Sequence, residues 1–293
     1  MSLGRATRRA AILLPAALLM AAVWSGCATV REPLSPLPVR HSIVREPLII
    51  HSDVPLPAQH RLFNDLKLQR EDLLTRLALP GSDEPIHVFL FESSERFQGF
   101  MQTQYPHFPI RRAFFVEKDT TLEVYAHWGD RVSEDLRHEV SHGHLHAVVP
   151  NIPLWLDEGL AEFFETPRED AGLNRPHVNE LAARLAAGGW RPDARRLEAL
   201  RSAGEMTQAD YAEAWAWAHW LLTTTPERLE LLRGYLRALR QPGRAAPLSE
   251  QIVELYPDAD RQLAEHIFQL ALPPATSPAP SAIPVAEEQS LWR

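Results

Sequence analysis

The chain has 293 residues, 45% of them hydrophobic and 23% charged, ordinary proportions for a globular protein with one large or two small domains once its ends are set aside. A net charge of −8, from 30 basic and 38 acidic residues, argues against nucleic acid as the main partner. The single cysteine, Cys27, leaves no pair for a disulfide, so the fold must rest on packing and on whatever metal its other side chains can hold.

At the N-terminus, Arg5, Arg8 and Arg9 precede an apolar run from Ala10 to Trp24. This is the pattern of a signal peptide over residues 1–26, too short to span a bilayer as a mature helix. The run ends in Ser25-Gly26-Cys27, which resembles the lipobox of bacterial lipoproteins. That resemblance implies acylation of Cys27 and anchorage at the cell envelope, with Ala28 favouring the outer membrane, facing the periplasm. Residues 27–45, with Pro33, Pro36 and Pro38 and little periodicity, read as a tether that would reach roughly 50 Å in polyproline geometry. Residues 273–293, rich in Pro, Ala and Ser, read as a disordered tail.

The part expected to fold divides into an α+β lobe, residues 46–165, and an all-α lobe, residues 166–272. In the first, Leu48 to His51 and Ile86 to Phe91 read as buried strands, separated by a helix from Ala58 to Leu79 with apolar residues at Leu62, Leu66, Leu73 and Leu77. A helix from Ser94 to Gln104, capped by Ser93 or Ser94, precedes a hairpin of Ala113 to Val116 and Leu122 to Ala126. Everything after Asp130 reads as helical: Ser133 to Val148, Leu154 to Glu165, Val178 to Ala187, Ala209 to Thr223, Pro226 to Leu239, Ser249 to Leu255 and Ala259 to Leu270.

The chemistry gathers where the two lobes join. His138-Glu139-Val140-Ser141-His142 is an HExxH motif within a predicted helix, and a spacing of four puts both imidazoles on one face, able to bind one Zn²⁺. Glu139 flanks that face and can take a proton from an activated water. From His142 to the helix end is ~9 Å of rise, Pro150-Asn151-Ile152-Pro153 forces a reversal, and Glu158 lies ~8 Å into the returning helix. An antiparallel pair therefore brings Glu158 level with His142 as a third ligand, leaving a coordination position open for water.

HEVSH followed, after 15 intervening residues, by the Glu158 of Trp155-Leu156-Asp157-Glu158-Gly159-Leu160-Ala161-Glu162 resembles the gluzincin zinc metallopeptidases, most of all the bacterial peptidase-MA-like domains of uncharacterised substrate. The resemblance implies one Zn²⁺ on His138, His142 and Glu158, with Glu139 as general base and a peptide or protein as substrate. It also implies that Tyr211, which opens the helix of Tyr-Ala-Glu-Ala-Trp-Ala-Trp-Ala-His-Trp, stabilises the transition state. Glu162 would hydrogen-bond His138 from behind, with Asp157 as the alternative for that support, and the strand Leu122 to Ala126 would be the edge that pairs with substrate. A metzincin motif would need Gly at Leu145 and His at Val148. His144 and His146 are expected to be non-ligands, Trp215, Trp217 and Trp220 to pack the helical lobe, His219 to serve the core or support the site, and His127 to lie at the surface. Two rival readings stand beside this one: a non-catalytic zinc-binding envelope lipoprotein with a scaffolding role, and a helical interaction module without metal.

Overall fold

A computed structural model describes residues 36–243 and 245–273. The signal peptide, the lipid acceptor Cys27, residues 28–35 of the tether and nearly all of the Pro/Ala-rich tail lie outside the described residues. Within them the chain is α+β: a five-stranded mixed sheet in the N-terminal part, then helices.

The strands are β1 (His41–Arg45), β2 (Leu48–Ser52), β3 (Ile86–Phe91), β4 (Ala113–Lys118) and β5 (Thr121–His127), in the order β1-β2-β3-β5-β4. β2, β3 and β5 run parallel, and β1 and β4 pair antiparallel on the two flanks. Two expectations are corrected here. His41 to Arg45 is not tether: it forms a hairpin with β2, five residues whose side chains stay mostly exposed and so lack the apolar alternation that marks a strand. And Leu122 to Ala126 is not an edge, since β5 lies between β3 and β4; the edge strands are β1 and β4, with β4 on the β5 side.

Side-chain alternation explains how the sheet is covered. Ile86, Val88 and Leu90 of β3 and Leu122, Val124 and Ala126 of β5 share one face, packed against α1 (Arg61–Leu77) and α3 (Val132–His146) through Leu62, Leu66, Leu136 and Val140. Phe89, Phe91, Phe114 and Tyr125 point to the other face and meet α2 (Ser94–Gln104) through Phe97 and Met101. Ser93 caps α2 by accepting from the Arg96 N–H.

α4 (Leu154–Phe164) returns after Pro150–Pro153, with Asn151 in the left-handed region at φ 54° that its short polar side chain tolerates. The helical part continues with α5 (Arg175–Ala186), α6 (Ala194–Glu198), α7 (Gln208–Thr223), α8 (Pro226–Leu239), α9 (Leu248–Leu255) and α10 (Ala259–Ala271). The short α6 escaped the sequence reading because five residues hold barely more than one turn of periodicity. Trp215, Trp217 and Trp220 are buried here, as expected, together with Trp155.

α4 and α7 cross at very close range. A Cβ on Gly159 would sit 2.3 Å from the backbone oxygen of Ala214, an atom that cannot swing aside. Gly159→Ala should therefore force the two helices apart and destabilise the protein by about 1–3 kcal/mol, the usual cost of overpacking. A melting temperature within a degree of the parent would show the crossing to be looser than described.

Candidate metal centre

α3 and α4 bring three donor atoms to one buried point. The Nε2 atoms of His138 and His142 are 3.2 Å apart, and the Glu158 Oε2 lies 3.4 Å from the first and 3.7 Å from the second. A tetrahedral ion with ligand bonds of about 2.0–2.1 Å separates its ligand atoms by about 3.3–3.4 Å, so the triangle has the size to hold a small divalent cation.

Protonation supports the same reading. His138 Nδ1 sits 2.9 Å from Glu165 Oε2, and His142 Nδ1 makes a close but bent contact, also 2.9 Å, with Asp157 Oδ2. Carboxylates there favour the tautomers with the ring proton on Nδ1, which leave both Nε2 lone pairs facing Glu158. Glu158 Oε2 is buried without a hydrogen-bond partner. Three converging lone-pair donors, one of them an unsatisfied carboxylate oxygen, could hold a metal ion, and two imidazoles with one carboxylate suit several first-row divalent metals. Without a cation the cluster draws in protons. Burial pulls His138 down, but Glu158 and Glu165 outweigh it and hold the imidazole well above its ordinary range. For His142, Asp157 and Glu158 overcome burial in the same way. Metal and protons thus compete for these nitrogens.

Glu139 is buried beside the triangle without joining it. Burial raises its pKa, His138 and His142 pull it down, and the backbone N–H of Phe115 on β4 donates to the carboxylate. Two cavities meet at this place. One, of about 530 Å³, is polar and is lined by Glu134, Asp135, Glu162 and Tyr211; the other, of about 370 Å³, is lined by Phe108, Pro109, Phe114 and Phe115. His138, Glu139 and Arg111 line both.

The supporting shell differs from the expectation. Glu165, not Glu162, hydrogen-bonds His138; Glu162 instead pairs with His177 Nε2 at 2.8 Å and accepts from Asn174. Glu158, Glu162 and Glu165 share one face of α4 at i, i+4 and i+7, and spacing alone cannot say which of the last two meets a crossing helix. Asp157 backs His142 rather than His138, and also contacts His146 Nε2 at 2.9 Å, whose Nδ1 lies 2.6 Å from Glu117. His142, His146 and Asp157, and likewise His138, Glu162 and Glu165, form further groups of potential ligands, but the imidazole contacts within each lie at hydrogen-bond distance. His144 is buried away from the site, and His127 lines the polar cavity.

Sequence reasoning missed Arg111. It stands just before β4, Gln98 Nε2 donates to its backbone oxygen at 2.7 Å, and its Nη2 donates to the Tyr211 hydroxyl at 2.6 Å. A basic pair ahead of a strand carries no motif, so only the fold reveals it. Arg196 steadies the start of α7 through Asp210, which completes a capping box with Thr207.

His219 serves the core. Its Nδ1 lies 2.9 Å from His266 Nε2, between Phe163 and Trp215. Burial and the neighbouring His266 hold His219 down to about 3, and burial with Arg228 holds His266 down to about 4. Folded pKa values below the unfolded value of about 6.5 mean that the native state prefers the neutral rings. Their contribution is complete above pH 6.5 and is lost as pH falls toward 4, by up to about 1.4 kcal/mol per pH unit for each ring. Denaturant titrations of the parent and His266→Gln between pH 7 and 4.5 should show the shallower fall in the variant; parallel curves would refute the assignment.

A family model described as a protein of unknown function (DUF1570) matches residues 134–243. That stretch holds His138, Glu139, His142, Glu158 and Tyr211, but neither the sheet nor Arg111. No curated protein matches the chain.

Proposed function

We propose that the protein is a zinc-dependent peptide-bond hydrolase of gluzincin type, held at the bacterial cell envelope through a lipid on Cys27. His138, His142 and Glu158 would hold the zinc, braced by Glu165 and Asp157. The observation that carries this reading is Glu139: a buried carboxylate beside three converging donors, yet not one of them, at the junction of two cavities. A site that merely stored or was stiffened by zinc has no use for it.

Zinc bound there would supply Lewis-acid polarisation of the substrate carbonyl and of water. Glu139 accepts the proton of the attacking water and returns it to the leaving amine. Its burial moves its pKa toward neutrality, which suits a group that must do both. Tyr211 donates its O–H to the carbonyl oxygen as negative charge develops there. Burial and the Glu158 charge push the phenol pKa up against the pull of Arg111, so the proton it must donate is present at neutral pH. The free edge of β4 offers an extended peptide a row of backbone partners next to Phe115 and Glu139.

The test is metal analysis of the purified full chain together with exposure to a broad peptide library. One zinc per chain and cleavage abolished by a chelator and restored by zinc are expected. Stoichiometric zinc without any cleavage would favour the scaffolding role instead, and no zinc would remove both.

A further inference from the structure

The contact between Arg111 and Tyr211 has a direction that chemistry fixes. A guanidinium has five N–H donors and no acceptor, so in a 2.6 Å contact the phenol oxygen must be the acceptor. The hydroxyl proton then cannot point at Arg111. Among the described residues no other hydrogen-bond partner of the hydroxyl is found, and Tyr211 lines the polar cavity together with His138 and Glu139. Both ends of the contact are fixed: Gln98 holds the Arg111 backbone, and Tyr211 stands in the first turn of a capped helix. The Arg111 guanidinium also lies 5.4 Å from the centre of the Tyr211 ring.

We infer that Arg111 is a positioning residue that makes Tyr211 a one-way donor, turning its O–H into the cleft and polarising it by accepting nothing in return. This rests on Tyr211 being the oxyanion donor of the proposed hydrolysis, but the orientation itself can be tested without turnover. Because the partners are 100 residues apart and come from the sheet side and from α7, the donor is aimed only when those two parts are docked. A charge-assisted bond of this kind is stronger than a neutral one and shortens the list of orientations the phenol can take.

The experiment uses the zinc-loaded full chain with ¹³C at the phenolic carbon of its five tyrosines. The Tyr211 resonance is assigned by its loss in Tyr211→Phe. Arg111→Ala should move that resonance, while Arg111→Lys, whose ammonium is also donor-only, should keep it near the parent position; Arg111→Lys also covers the case in which the alanine variant folds poorly. On a cleaved peptide, Arg111→Ala should lower kcat by about the same factor as Tyr211→Phe, roughly 10²–10³-fold, with KM little changed. The double variant should lose nothing further. A Tyr211 resonance unmoved by Arg111→Ala overturns the proposal. So do losses that multiply in the double variant or that fall on KM, because Arg111 would then grip substrate directly. If no peptide is cleaved by the parent, the hydrolase reading falls, and the resonance alone decides whether Arg111 aims the hydroxyl.

Discussion

Glu139→Gln should leave metal content unchanged and lower hydrolytic turnover by about 10²–10⁴-fold, the range for removing a general acid–base group. The two halves of this expectation have separate causes. Glu139 is not part of the donor triangle, so the ligand set is complete without its charge. An amide of the same shape can still accept from the Phe115 N–H, so β4 stays in place, but it cannot take up the proton of an attacking water. Metal content by mass spectrometry and kcat on one good peptide suffice. A variant that loses zinc would make Glu139 a ligand, and one that keeps parental kcat would move the base elsewhere, with His127 the next group to test in the polar cavity.

Glu158→Ala should reduce zinc affinity by far more than the about 10–100-fold expected for Glu165→Ala, which removes a support rather than a ligand. Glu158 supplies the only anionic donor of the triangle, and its loss leaves two neutral imidazoles facing each other across 3.2 Å. His138→Ala and His142→Ala should behave like Glu158→Ala. Glu162→Ala should hardly change zinc affinity, because its partners are His177 and Asn174, although it should cost stability by leaving that pair unpaired in the interior. Competition against a chelator of known affinity ranks all five. An order in which Glu162 outranks Glu158 would mean that the triangle has been drawn around the wrong carboxylate.

The amino-acid sequence carried the centre of the site because its parts are local. His138 and His142 share one helix face by periodicity, and Pro150 to Pro153 fixes the reversal that brings back Glu158, so two short distances along helix axes were enough. Helix starts were legible for the same reason: Ser93 and Pro226 mark them by chemistry that acts within one turn. What depends on how helices cross was not legible. The choice between Glu162 and Glu165 turns on the α3–α4 angle, and the partner of Tyr211 lies 100 residues away in a loop without a motif. The edge strand was misassigned because strand order is a property of the assembled sheet, and β5 inserts between β3 and β4 without any residue that announces it.

The three donors of the triangle lie on one helical hairpin, His142 and Glu158 being 16 positions apart, whereas Arg111 and Tyr211 are separated by 100. Chain-closure entropy grows with the logarithm of that separation, so joining Arg111 to Tyr211 costs about 1.6 kcal/mol more than joining the two ligands. During folding, therefore, the ion can be captured by a short local unit before the cleft around it exists. On the proposed function, an ion bound early would have to wait for the sheet and the helical part to close on each other before the Tyr211 hydroxyl is aimed.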